Sequence, residues 1–372
     1  MMKTVGQNRA TDGAGLVRPE VRALRAYQLA QPAAGRAAGT TVRLHQNEAP
    51  EDWPEAIKRE IVERLVAAAW HRYPSARADE VCRAIADMQG TPAAMIAATA
   101  GSNEALWAAC AAFAARGTVV LLAPTYSMSR TLAIAAGARV VEVPLARDFA
   151  LDAGALLRAA HAHRAELIYL ASPNNPTGNA FAREAVEAVV AGAPAAVVID
   201  EAYWEFASAS HLDALQRAAH VVIVRTFSKA MASASLRIGW ITAQPSVITE
   251  LHKVIPPYSL NLPAQIAGPI LVAHRDIATA RVRLIVAERE RVAQALQARG
   301  LRVYPSETNF LLFEPGRPPA QVWQALAARG VLVRDPSAVP RLAACLRVSI
   351  GAPADNGRFL AALTEALSEV KA

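Results

Sequence analysis

Short runs of β-branched and other apolar residues recur along the chain, separated by alanine-rich stretches of helical character. These runs occupy residues 95–99, 118–122, 139–143, 167–170, 196–199, 221–224 and 238–242. Strands that alternate with helices are typical of a mostly parallel sheet whose two faces are both covered by helices. The sequence therefore predicts an α/β fold built on a large, mostly parallel central sheet.

Polar clusters follow several of the predicted strands. The run at 167–170 leads into SPNNPTG (172–178), the run at 196–199 into DEAY (200–203), and the run at 221–224 into TFSK (226–229). Open α/β sheets bind their ligands outside the carboxyl ends of the strands. We therefore expect the chemistry of this chain to lie along that edge of the sheet.

The pattern changes near residue 256, where the proline-broken passage PPYSLNLPAQIAG begins. A long helical stretch is predicted from there through Arg299, and short strands are predicted at 301–304, 310–313, 331–333 and 346–350. These elements predict a smaller α+β domain. We expect an N-terminal arm (1–44) packing on that domain or on a partner, a large domain (45–255), and a connecting helix with the small C-terminal domain (256–372).

The composition is globular, with 53% hydrophobic and 19% charged residues in 372. The net charge of +7 comes from scattered arginines, which disfavours nucleic-acid binding and suits an enzyme with anionic ligands. No stretch resembles a signal peptide or a membrane helix, so no membrane partner is expected. Three distant cysteines (Cys82, Cys110 and Cys345) lack CxxC spacing, which predicts no metal site and favours a cytoplasmic location.

Asp200 closes the predicted strand at 196–199, and Lys229 follows the next predicted strand, at 221–224. Taken singly, Lys229 could be a solvated charge and Asp200 a helix N-cap. An ionised carboxylate is costly to bury without a cationic partner, and a protonated pyridine nitrogen is such a partner. A lysine able to form an imine, together with such a carboxylate, predicts pyridoxal 5′-phosphate as the cofactor.

Further polar residues match the other parts of such a cofactor. Thr226, Ser228 and Arg237 supply two hydroxyls and a guanidinium near Lys229, which suits a phosphate dianion. The remaining candidates are Gly101, Ser102 and Asn103 at a helix N-terminus for the phosphate, Tyr126 to stack on the ring, and Asn175 and Tyr203 to donate hydrogen bonds to the ring oxygen.

The motifs, taken together, resemble those of the class I and II aminotransferases of fold type I, and most closely those of the histidinol-phosphate aminotransferases. They span nearly the whole chain: VRALRAYQ (21–28), LHQNEAP (44–50), RYP (72–74), GSNEAL (101–106), PTYSM (124–128), SPNNPTG (172–178), DEAYWEF (200–206), TFSKAMASASLRIG (226–239), SETNF (306–310), VLVRD (331–335) and LRVSIG (346–351). The resemblance implies a large pyridoxal-phosphate-binding domain of the aspartate-aminotransferase type.

The resemblance also implies a role for each matching residue. Lys229 would hold the cofactor as a Schiff base and then serve as the base that moves the substrate's α-proton, and Asp200 would pair with the ring nitrogen. The other implied contacts are Asn175 and Tyr203 at the ring oxygen, Tyr126 stacked on the ring, and Ser102, Asn103, Thr226, Ser228, Arg237 and Tyr73 at the phosphate. Tyr73 would come from the neighbouring subunit, which makes a homodimer part of the site.

Three residues are implied to bind the substrate together with Asn175. Arg347 would bind the α-carboxylate, Arg334 would contact the distal phosphate of histidinol phosphate, and Tyr27 would close over the substrate. The sequence departs from the family pattern at Ser235, where a glycine is usual, at Ala26, where a proline is usual, and at Ala49, where an asparagine is usual. These changes bear on substrate identity more than on cofactor use.

The implied reaction is a ping-pong transamination that converts L-histidinol phosphate and 2-oxoglutarate to imidazole acetol phosphate and L-glutamate. Three alternatives stay open at this point. The chain could act on aromatic or other amino acids, it could be a decarboxylase of the phosphothreonine type, or it could be a non-catalytic regulator that binds pyridoxal phosphate.

Overall fold

The computed structural model describes residues 13–26 and 41–370. Its strands are β1 (Val42–Leu44), β2 (Ile96–Thr99), β3 (Thr118–Ala123), β4 (Arg139–Pro144), β5 (Leu167–Ala171), β6 (Ala196–Asp200), β7 (Val221–Thr226), β8 (Gly239–Thr242), β9 (Arg302–Val303), β10 (Phe310–Glu314), β11 (Val331–Val333) and β12 (Leu346–Ser349). Except for β1, each strand lies at a position that the sequence pattern predicts.

The α-helices are α1 (Pro19–Arg22), α2 (Glu55–Ala67), α3 (Asp79–Gln89), α4 (Ser102–Ala114), α5 (Ser127–Ala135), α6 (Ala153–Ala162), α7 (Arg183–Gly192), α8 (Ala214–Arg217), α9 (Pro245–Leu251), α10 (Leu262–Ala273), α11 (Arg275–Gln297), α12 (Pro319–Ala328) and α13 (Pro353–Glu369). Short 3₁₀ helices cover Gly13–Leu16, Ala93–Met95, Trp204–Phe206 and Ala234–Leu236. None of these described helices is long and apolar enough to cross a membrane.

The largest sheet has seven strands in the order β2-β8-β7-β6-β5-β3-β4. Strands β7, β6, β5, β3 and β4 run parallel to one another, whereas β8 pairs antiparallel with both β7 and β2. Every residue of β5, β6 and β7 is buried, as expected of parallel strands with helices on both faces. The predicted α/β class with a mostly parallel sheet is confirmed.

The C-terminal strands form two smaller sheets. Strands β9, β10 and β12 form an antiparallel sheet, and β1 pairs parallel with β11. An isolated bridge between Arg334 and Arg347 joins the end of β11 to β12. The last residues of the predicted N-terminal arm thus pair with the C-terminal part of the chain, while the predicted domain boundaries stay a prediction.

The long helical stretch predicted after residue 256 is two helices, α10 and α11. His274 lies between them with φ −104° and ψ 27°, outside the helical range, and its N–H closes the end of α10 on Ile270 and Val272. Helix α10 packs against α2 and α3. The N-terminal half of the predicted connecting helix therefore contacts the helices that precede the large sheet.

Candidate active site

A cavity of about 590 Å³ opens at the carboxyl ends of β5, β6 and β7. It is lined by twelve of the residues that the sequence singles out: Ser102, Asn103, Tyr126, Asn175, Asp200, Tyr203, Thr226, Ser228, Lys229, Arg237, Arg334 and Arg347. The parallel strands end at one edge of the sheet, so side chains that follow different strands come together there. The cavity lies where the strand-end motifs predict the chemistry.

Lys229 lies three residues beyond the end of β7, with its amine enclosed by main chain from a distant segment. The amine donates to the carbonyl oxygens of Asn47 at 3.2 Å and Gln46 at 3.4 Å, and it lies 5.7 Å from the centre of the Tyr203 ring. Burial, followed by the positive charge of Arg347, lowers the pKa of the Lys229 amine to about 8. With this pKa, about a tenth of the amine is neutral at pH 7 and able to act as a nucleophile or a base, far more than for an ordinary lysine.

Asp200 ends β6 and is 4% exposed. Its carboxylate accepts a hydrogen bond from the Tyr169 hydroxyl at 2.9 Å and one from the Ala202 N–H at 3.1 Å. Burial nevertheless raises the pKa of Asp200 to about 6, because these two donors do not replace the lost hydration. A cationic group bound in the cavity would supply the missing charge partner.

Three chain segments converge beside Lys229 to form a cradle for an anion. Thr226 donates to Ser228 at 2.9 Å, Arg237 lies against the Ser228 hydroxyl, and α4 begins next to them at Ser102. A Cβ atom added at Gly101 (φ 84°) would lie 2.4 Å from the Arg237 guanidinium. Two hydroxyls, a guanidinium and a helix N-terminus are the donors that bind phosphate in proteins.

The main chain also approaches closely in this cradle. A Cβ atom added at Gly239 would lie 2.5 Å from the backbone nitrogen of Ser102. Only glycine permits that approach, which brings the N-terminus of α4 against the segment that carries Arg237. Ser235, the residue that replaces the usual glycine of the family, lies in the 3₁₀ helix Ala234–Leu236, just before Arg237.

A chain of hydrogen bonds joins Arg347 to Tyr203. Arg347 donates to the Asn175 amide oxygen at 2.7 Å, and the Asn175 amide lies 3.4 Å from the Tyr203 hydroxyl. On the other wall, the Tyr126 hydroxyl donates to the Asn103 amide oxygen at 3.0 Å. These bonds fix the orientation of both amides and of the Tyr126 ring.

Arg334 and Arg347 lie opposite each other on paired segments of main chain. The main-chain N–H of Arg334 donates to the carbonyl oxygen of Arg347 at 2.8 Å, and the main-chain N–H of Arg347 donates to that of Arg334 at 2.9 Å. Both side chains line the cavity. Directly opposed residues of an antiparallel pair project to the same side of the sheet. Two guanidinium groups at one wall create a positive potential that favours anionic ligands.

Two of the predicted residues lie elsewhere or outside the described part of the chain. Tyr73 is 82% exposed outside the cavity, where its ring stacks on Tyr258 with 4.6 Å between centroids. A contact of Tyr73 with a ligand in this cavity is therefore not made within one subunit. Tyr27 lies outside the described residues.

Comparison with known proteins agrees with this geometry. Residues 40–363 match the family described as aminotransferase class I and II. The chain belongs to this aminotransferase family. It is 36% identical over 360 residues to the histidinol-phosphate aminotransferase of Desulfitobacterium hafniense (94% of this chain, 97% of that one), and 38% identical over 363 residues to that of Methylibium petroleiphilum (95% of each).

A solved structure shares the aminotransferase fold over most of the chain. The crystal structure of histidinol-phosphate aminotransferase from Sinorhizobium meliloti in complex with pyridoxal 5′-phosphate superimposes with a TM-score of 0.85. The two chains are 26% identical, and the alignment covers 95% of this chain and 98% of that one. The predicted family resemblance is thus confirmed.

Two residues that shape this aminotransferase site, Tyr169 and Asn47, are absent from the sequence prediction. Tyr169 is buried within β5 and donates to Asp200, and a tyrosine in an otherwise apolar buried run is the only sign of it. Asn47 is 2% exposed, has φ 56° and contacts both Tyr203 and Lys229. Its motif is visible in the sequence, but its contacts are with segments distant in sequence.

Proposed function

We propose that the chain is a pyridoxal-phosphate-dependent aminotransferase that converts L-histidinol phosphate and 2-oxoglutarate to imidazole acetol phosphate and L-glutamate. The observation that carries the proposal is the pair of arginines, Arg334 and Arg347, opposed at the wall of a cavity that also contains Lys229. All the substrates are anions, and a ping-pong reaction binds each of them in the same site. The names of the relatives support the choice of histidinol phosphate.

The residues of the cavity fit pyridoxal 5′-phosphate. The buried carboxylate of Asp200, with its raised pKa, suits the protonated ring nitrogen, and the cradle of Thr226, Ser228 and Arg237 suits the phosphate. When bound, this cofactor supplies a carbonyl that forms imines with amines and a ring that stabilises negative charge at the substrate's α-carbon. In this proposal Tyr126 lies against the ring, and Asn175 and Tyr203 donate to its oxygen.

Lys229 is proposed to act as the base at the substrate's α-carbon. Its amine, with a pKa lowered to about 8, can take up the α-proton near neutral pH and release it again. Arg347 would hold the α-carboxylate of glutamate through two parallel N–H···O bonds, and Arg334 would bind a distal phosphate. These contacts orient the α-carbon toward the amine and hold the polar substrate in place.

We expect the active protein to be a homodimer, since Tyr73 is predicted to reach the phosphate of the other subunit. Tyr258, which stacks on Tyr73, is 41% exposed, and two apolar residues shortly before Tyr73 in the sequence are also exposed, Trp70 (69%) and Val66 (74%). Apolar surface of this kind favours an obligate interface of at least roughly 2,000 Å². Light scattering at assay concentration is expected to give the mass of two chains, and an active monomer would contradict the proposal.

The proposed cellular location is the cytoplasm. All three cysteines are buried and free, and burial raises the pKa of the Cys82 thiol to about 11. Unpaired thiols of this kind are common in reducing compartments.

The proposal is tested with a panel of amino donors, each paired with 2-oxoglutarate and assayed by formation of glutamate. Wild-type protein is expected to use histidinol phosphate. Arg334→Ala is expected to lower kcat/KM for histidinol phosphate on the order of 30-fold or more, because a phosphate is left without its charge-assisted partner. An aromatic donor, which lacks a distal anion, should change by only a few-fold.

Arg347→Ala provides the matched comparison. It should damage donors with an α-carboxylate across the board, because each of them loses the guanidinium that pairs with that carboxylate. Arg341→Ala, at an arginine that contacts the main chain of Leu145 and Ala146, serves as a control for loss of any arginine near the site. If wild type ignores histidinol phosphate, or Arg334→Ala weakens all donors equally, the substrate assignment fails and only the broader aminotransferase activity survives.

A further inference from the structure

Asn47 occupies a buried position between the small antiparallel sheet and the end of β6. It is 2% exposed and adopts the left-handed conformation, with φ 56°. Its carbonyl oxygen accepts from the Lys229 amine at 3.2 Å and from the Asn309 amide at 3.0 Å. One residue therefore contacts the amine that the proposed chemistry needs and, through its side chain, the adjacent tyrosine.

The side chain of Asn47 links β12 to Tyr203 in a defined direction. The main-chain N–H of Asn47 donates to the Ser349 hydroxyl oxygen at 2.9 Å, and that hydroxyl donates to the Asn47 amide oxygen at 3.0 Å. The amide nitrogen of Asn47 then donates to the Tyr203 hydroxyl oxygen at 2.9 Å. Each donor in this series of three hydrogen bonds therefore meets an acceptor.

The opposite orientation of the Asn47 amide is less favourable. It would place two N–H donors of Asn47 against the Ser349 oxygen, and the hydroxyl proton would need another acceptor although Ser349 is only 2% exposed. Buried polar groups that lose a partner cost free energy, so the network selects the orientation that directs the amide nitrogen to Tyr203.

We propose that Asn47 is a positioning residue. Its amide N–H donates to the Tyr203 hydroxyl oxygen, so the hydroxyl donates its own proton into the cavity. A phenol oxygen that accepts an N–H donates its own proton in another direction, and hydrogen bonds in a chain strengthen one another. Tyr203 lines the cavity, where the ring oxygen of the cofactor is expected under the proposed function on which this inference rests. The stronger donor stabilises negative charge on that oxygen, so the neighbouring imine nitrogen holds its proton less tightly.

Asn47→Gly tests the proposal, because glycine adopts φ 56° without strain and keeps the carbonyl contacts with Lys229 and Asn309. Three variants are compared with wild type: Asn47→Gly, Tyr203→Phe and the double variant that carries both changes. The first readout is the melting temperature of the cofactor-free protein. Each single variant should melt about 2 °C lower. The double variant should lose less than the sum of the two single losses, because the Asn47–Tyr203 hydrogen bond is lost only once, while the Asn47–Ser349 bond is lost in both backgrounds.

The second readout is a pH titration of the absorbance band of the bound cofactor. Asn47→Gly should raise its midpoint by about half a pH unit, and the same change in the Tyr203→Phe background should produce no further shift. A role in stability alone would leave this midpoint unchanged. Ser349→Ala, which frees the Asn47 amide to turn, should shift the midpoint in the same direction by less, and it replaces Asn47→Gly if that variant does not fold.

The two readouts separate this inference from the proposed function. A wild-type protein without a cofactor band would refute the proposed function, while the melting temperatures would still decide whether Asn47 and Tyr203 act as a pair. Equal shifts of the midpoint in both backgrounds, or additive losses of melting temperature, would overturn the role of Asn47.

Discussion

The Lys229→Ala variant is expected to bind pyridoxal 5′-phosphate and to lose turnover by at least about a thousand-fold. The phosphate cradle and Asp200 are untouched by the change, so cofactor affinity is retained through non-covalent contacts. The amine with its lowered pKa is lost, and with it the imine partner and the base at the α-carbon. General base catalysis alone contributes roughly a hundred- to ten-thousand-fold in enzymes.

The measurement combines spectroscopy with single-turnover kinetics. Wild type should be yellow, and borohydride should shift its band and fix the cofactor to a peptide containing Lys229, whereas the variant should release all cofactor on denaturation. Lys253→Ala, at an exposed lysine paired with Glu250, is the matched control and should behave as wild type. Near-normal activity of Lys229→Ala would end the proposed function.

Asp200→Asn and Asp200→Ala are both expected to lower turnover on the order of a hundred-fold or more. Both remove the charge that keeps the ring nitrogen protonated, and asparagine does so while preserving volume. Tyr169→Phe, which removes one hydrogen bond but leaves the carboxylate, should have a much smaller effect. Similar activity of Asp200→Asn and wild type would show that the charge of Asp200 is not needed.

The same residue predicts a pH dependence of cofactor affinity. Burial raises the pKa of Asp200 to about 6, so the apoprotein holds an uncompensated carboxylate above pH 6 and a neutral acid below it. The cationic ring nitrogen gains its partner only above that pH, and this part of the affinity should be lost as the pH falls through 6. The dissociation constant of the cofactor is measured by titrating apoprotein at pH 5 and at pH 8. Asp200→Asn is the control, because its affinity has no contribution from a carboxylate at this position.

The fold class and most of the candidate site were predictable from the sequence because their signals are local. Runs of apolar residues mark β5, β6 and β7, and the polar groups that follow them must meet at one edge once the strands are parallel. Lys229, Asp200 and Asn175 are each identifiable from the strand that precedes them. The family resemblance added the role of Arg347, which no local pattern marks.

Only the tertiary structure decided which distant segments surround those groups. Asn47 meets Tyr203 and Lys229 across separations of 156 and 182 residues, and Arg334 lies opposite Arg347 through the register of two short segments. Strand register and the left-handed turn at Asn47 result from the packing of whole elements, which no local pattern of residue types encodes. The sequence thus determined which residues carry the chemistry, and the packing of distant segments determined the direction of their hydrogen bonds and the burial that sets their pKa values.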